Sequence, residues 1–151
     1  MAGFVLVAVV MRPVGGWLSD RLRPGPVLVA AFLVVAVAAF VQSATPALFW
    51  TGTTAFLVLA AALGAASGAV FALVAQQAPA SQVGAVTGLV GAAGGLGGFV
   101  PPLVMGSLYG HFANYSLGLV ALGVVALLAV ALAAQTARRQ RPPSVAEPVG
   151  A

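Results

Sequence analysis

Residues 115–134 read YSLGLVALGVVALLAVALAA, twenty consecutive positions without a charge, an amide or a proline. At 1.5 Å per residue a helix of that length covers the ~30 Å of bilayer hydrocarbon. Working back from it, polar and turn-forming residues divide the chain into four more apolar stretches, at about 2–19, 27–41, 49–75 and 83–109. The separators are Asp20 to Pro26, Gln42 to Pro46, Gln76 to Gln82 and Gly110 to Asn114. The predicted fold class is therefore all-α, a polytopic bundle of five transmembrane helices over residues 1–135. Residues 136–151, with Pro142, Pro143 and Pro148, read as a disordered cytoplasmic tail.

Composition supports the same class. Of 151 residues 62% are hydrophobic, and eight side chains are charged: six arginines and two carboxylates. A soluble domain carries roughly a quarter charged residues, whereas hydrocarbon penalises each charge and solvates apolar side chains. The net charge of +4 comes from these few arginines and does not imply a nucleic-acid surface. With no cysteine, one histidine and two acidic residues, neither a metal cluster nor an acid–base pair is expected, nor any cofactor or enzymatic activity. The start lacks the basic n-region and cleavage site of a secretory signal. It reads as a chain entering directly into a membrane helix, a first indication of a fragment.

The arginines orient the bundle. Arg21 and Arg23 follow the first stretch, and Arg138, Arg139 and Arg141 follow the fifth, while the two connections on the opposite side hold no Lys or Arg. The positive-inside rule places the arginine side in the cytoplasm, so the N-terminus is predicted outside and the C-terminus inside the plasma (inner) membrane.

Arg12 is the cation that no connection explains. It lies eight residues before Asp20, roughly 12 Å into the bilayer from the cytoplasmic end. One reading pairs it with a carboxylate or sets its helix at a shallower depth. The other faces it into a polar cavity, the usual role of an intramembrane charge. A guanidinium carries a permanent charge on a planar fork of donors and suits a flat oxyanion. Pro13 next to it frees the carbonyl of Val9 and allows a bend.

Glycine is concentrated in the fourth stretch, at Gly84, Gly88, Gly91, Gly94, Gly95, Gly97 and Gly98. Positions 84, 88, 91, 95 and 98 form one face, and Ala60, Gly64, Gly68 and Ala72 form a comparable stripe on the third stretch. Such stripes serve close helix packing, or let a backbone approach a small substrate and flex. Pro101-Pro102 is expected to bend the helix beside this run. Phe71 is a candidate pore-lining aromatic, while Trp17, Trp50, Tyr109 and Tyr115 fall where aromatic belts form.

Two of these stretches resemble known families. Gly16-Trp17-Leu18-Ser19-Asp20-Arg21 resembles the G-x-L-x-D-R loop motif of the major facilitator superfamily, which implies a conformational role for Gly16, Asp20 and Arg21. The run from Gly84 to Phe99 resembles the glycine-rich nitrate motif of the nitrate/nitrite porters, in the version of their eleventh helix. The resemblance implies that the five stretches correspond to helices eight to twelve, and that Arg12 and Phe71 contribute to the substrate cavity with Gly94, Gly95, Gly97 and Gly98. It implies nitrate or nitrite as cargo, the lipid bilayer as environment, and a missing N-terminal transporter half as partner. Without that half, the segment is not expected to transport. Another small anion or solute as cargo, and a non-transporting membrane subunit packed through its glycine faces, are the alternatives.

Overall fold

The computed structural model describes residues 2–44, 49–113 and 115–139. They form five α-helices: α1 (Ala2–Leu22), α2 (Pro24–Ala44), α3 (Phe49–Gln77), α4 (Val83–Phe112) and α5 (Ser116–Arg139). All five are long and apolar enough to cross a membrane. Large apolar side chains such as Leu6, Leu89, Leu96 and Leu132 lie on the outside of the bundle, as lipid solvation permits.

The helices extend beyond the apolar stretches because polar residues need only leave the hydrocarbon, not the helix. The Asp20–Pro26 separator shows this most clearly. Asp20 and Arg21 belong to the last turn of α1, Arg23 alone is non-helical, and α2 begins at Pro24. Arg23 makes the reversal with a left-handed φ of 73°. Proline fits the first helical position, where its missing N–H has no intrahelical acceptor and its φ is already set. At the far side, 110–112 continues α4 instead of forming a loop. The helix stops at Ala113, which takes φ 50° and donates its N–H to the Tyr109 carbonyl at 2.9 Å. Residues 136–139 prolong α5 where a tail was predicted, and the remainder of that tail lies outside the described residues. Pro13, Pro101 and Pro102 sit within α1 and α4 without ending either helix.

Core packing gives the register. Val35, Ala36, Ala38 and Ala39 of α2 meet Leu59 and Ala62 of α3 and Ala126 of α5. One layer away, Val27, Leu28 and Ala31 meet Ala66, Ala69 and Ala133. Descending numbers on α2 thus face ascending numbers on α3 and α5, so α2 runs antiparallel to both and sits between them. Alanine dominates these layers because, without a hydrophobic driving force inside lipid, helices associate through close van der Waals contact.

The third helix pairs with α1 in parallel: Phe4 meets Phe56 edge-on at 6.4 Å between ring centroids, Ala8 faces Gly64, and Arg12 faces Gly68. The small-residue stripe of α3 is therefore closed by α1, not by the glycine face of α4. No residue of α4 is buried. Its contacts are limited to α3 and α5, including Met105 against Gly118 and Tyr109 stacked on Tyr115 at 4.4 Å and 18°.

Candidate functional site

Arg12 is the eleventh of the 21 residues of α1, about 15 Å from either end. Its backbone lies on the face that α1 presents to α3, which Ala8, Gly15 and Gly16 share. The residue is exposed, and its guanidinium makes no hydrogen bond or ion pair among the described residues. Asp20 is two turns further along α1 and exposed, too distant along the axis to neutralise it. A mid-span cation without a carboxylate partner among the described residues is free to pair with an anion.

Glycine makes the seam beneath Arg12. A Cβ on Gly15 would overlap the Ala65 carbonyl, one on Gly64 the Ala8 carbonyl, and one on Gly68 the Arg12 carbonyl. In all three the obstructing atoms are backbone, so the helices approach as closely as peptide groups allow. Spacing alone offered a sign of this, in the Gly15-Gly16 pair on one helix and Gly64 and Gly68 four apart on the other. The partnership itself requires the tertiary structure.

The motif from Gly16 to Arg21 forms a separate cluster. The Arg21 guanidinium lies over the Trp17 ring, 4.4 Å from its centroid. Ser19 is fully buried and its Oγ donates to the Gly15 carbonyl at 2.8 Å. Trp17 thus caps an arginine one turn away on the same helix, an i,i+4 pairing that the sequence allowed.

The other predicted site residues are not gathered around Arg12. Phe71 is 38% exposed on α3. Gly94, Gly95, Gly97 and Gly98 are exposed, with nothing within 4 Å of a Cβ built on any of them. Among the described residues α4 has no contact with α1 or α2, so the glycine run and Arg12 do not share one pocket here. A groove of about 420 Å³ between α2 and α3 is lined by Leu33, Val37, Val41 and Val58 among others. None of its lining comes from α1, and its apolar walls offer nothing to an anion.

Five helices long and apolar enough to cross a bilayer define a multi-pass membrane protein. Residues 1–150 match the model of the Major Facilitator Superfamily. The chain belongs to that superfamily. It is 52% identical over 123 residues to the probable nitrate/nitrite transporter NarK2 of Mycobacterium tuberculosis, a match covering 80% of this chain and 31% of the relative. It is 36% identical to the nitrite extrusion protein of Bacillus subtilis, covering 80% of this chain and 30% of that protein. With the probable nitrate transporter NarT of Staphylococcus haemolyticus the figures are 35%, 79% and 30%. The chain thus spans about a third of the length of these relatives. No solved structure gives a significant match.

Proposed function

We propose that this segment supplies one side of the substrate path of a nitrate/nitrite transporter, with Arg12 as the anion ligand. The observation that carries the reading is the exposed, unneutralised guanidinium at the middle of a membrane span. The substrate named for its relatives is planar and singly charged, and a guanidinium can meet two of its oxygens with parallel N–H donors. Charge and hydrogen bonds are nearly the only handles that such a small ion offers.

The transporting unit in this reading includes a further transporter half, which would close the path opposite α1 and the open face of α4. That half would bring Gly94, Gly95, Gly97 and Gly98 to the path as a wall without side chains. Phe71 would line the same path from α3. The loop-motif residues Gly16, Asp20 and Arg21 would lie on the cytoplasmic side, with the N-terminus outside.

Replacement of Arg12 by Lys in an intact transporter carrying this segment tests the assignment. Lysine keeps the charge and loses the planar fork. Hydrogen bonds to charged groups contribute about 1.5–3 kcal/mol each, so loss of one weakens nitrate affinity roughly ten- to hundredfold. Nitrate uptake into vesicles should fall accordingly, and uptake close to the unmodified level would end the proposal. Competition by nitrite, chloride and formate in the same assay distinguishes nitrate or nitrite from another small anion.

A further inference from the structure

We infer that Gly68 is the positioning residue for Arg12: the absence of a side chain on α3 fixes where the anion-binding guanidinium stands. The inference rests on Arg12 being the anion ligand. A Cβ at position 68 would coincide with the Arg12 carbonyl oxygen and come within 2.8 Å of the Gly16 nitrogen. Those two atoms are acceptor and donor of one i to i+4 helical hydrogen bond. Gly68 is therefore seated on the turn of α1 that carries Arg12.

That turn needs support from outside its own helix. Pro13 has no N–H, so the Val9 carbonyl lacks its donor and the backbone entering Arg12 is held by one hydrogen bond fewer than the rest of α1. Arg12 is exposed and its guanidinium has no hydrogen-bond or ion-pair partner among the described residues. The root of its side chain is set by the backbone, and the contact with Gly68 is among those that hold this backbone on α3. A rigid carbonyl cannot swing aside as a side chain can, so a methyl group at 68 must displace the Arg12 turn itself. Moving the root of the side chain draws the guanidinium away from its anion, and loss of one charge-assisted hydrogen bond weakens affinity roughly ten- to hundredfold.

Gly123 provides the internal comparison. It lies on α5 and a Cβ there would meet the Phe40 ring, so Gly123→Ala strains the bundle without touching the Arg12 turn. In an intact transporter carrying this segment, reconstituted in vesicles, Gly68→Ala should raise the KM for nitrate roughly ten- to hundredfold. Maximal rate per folded transporter should change much less. Gly123→Ala should lower the folded yield and leave KM close to the unmodified value. An unmodified KM in Gly68→Ala, or an equal rise in Gly123→Ala, overturns the inference.

A second measurement uses the unsubstituted protein and decides the matter if Gly68→Ala does not fold. With glycine Cα and arginine guanidinium groups isotopically labelled, a nitrate titration followed by NMR should shift Arg12 and Gly68 along one saturation curve while Gly123 stays still. Movement of Arg12 without Gly68 removes the positioning role and leaves the anion site standing. An Arg12 signal that ignores nitrate removes the anion site, and the positioning role with it.

Discussion

The seam between α1 and α3 and the glycine face of α4 have nearly the same sequence character and opposite surroundings. In the seam, Gly15, Gly64 and Gly68 each lie against a neighbouring backbone carbonyl. On α4, seven glycines from Gly84 to Gly98 have nothing within 4 Å of an added Cβ. The same residue therefore does two different things. In the seam its missing side chain is used up by contact, which brings two peptide backbones together and fixes α1 in register on α3. Along α4 the missing side chains leave a smooth surface that no described residue covers. Small residues at i and i+4 permit close approach, but they do not specify what approaches.

The largest stability effects that this comparison predicts lie in the seam, and Gly64 is one of its three glycines against backbone. An added methyl has only the Ala8 backbone to displace, and overpacking of this kind costs about 1–3 kcal/mol. Gly64→Ala should lower stability by that amount in reversible unfolding from detergent micelles. A loss well below ~1 kcal/mol would mean that the two helices are looser than backbone contact requires, and the contrast with α4 would fail.

Gly123 and Gly118 on α5 sharpen the comparison, because each faces a side chain rather than a backbone. An added Cβ at Gly123 would stand 2.8 Å from the tip of the Phe40 ring, and one at Gly118 would meet the Met105 thioether. Phe40 is 37% exposed and can turn outward, while methionine has three rotatable bonds and adapts readily. Gly123→Ala should cost about 1 kcal/mol and Gly118→Ala less, below the seam value in both cases. Equal losses at Gly64, Gly123 and Gly118 would show that adjustability of the neighbour does not govern the cost.

Much of this architecture was legible in the sequence, and the boundary of legibility is physical. Runs such as 115–134 announce membrane helices because length and apolarity are properties of one segment. Arg12 stood out for the same reason, since its depth follows from counting along one helix. Which helix closes the α3 stripe depends on the approach of segments more than fifty residues apart, and here spacing favoured no partner. The connection at Arg23 was also hidden. Pro24-Gly25-Pro26 has the composition of a turn, yet proline at the first helical position lets α2 start there and leaves the reversal to one non-glycine residue. The Arg12 and Gly68 pairing belongs to the same category, because only the tertiary contact shows that a glycine on α3 is seated on the turn carrying the cation.

The smallest stability effect belongs to α4, where the comparison is most exposed to failure. At Gly88 and Gly91 a methyl group meets no neighbour among the described residues. Alanine also removes the extra backbone freedom that glycine loses on folding, a gain of up to roughly 1 kcal/mol in a helix interior. Gly88→Ala and Gly91→Ala in this chain should therefore be neutral or slightly stabilising in the same unfolding measurement that penalises Gly64→Ala. Transport by the intact protein separates the two roles of these glycines. If α4 turns its smooth face to another helix or to a small ion, the same substitutions should reduce nitrate uptake while leaving the stability of this segment unharmed. Unchanged uptake with unchanged stability would make the face a lipid-exposed surface with no need for glycine. A large loss of stability in the isolated segment would mean that α4 is already packed, and that the open face contrasted with the α1–α3 seam does not exist.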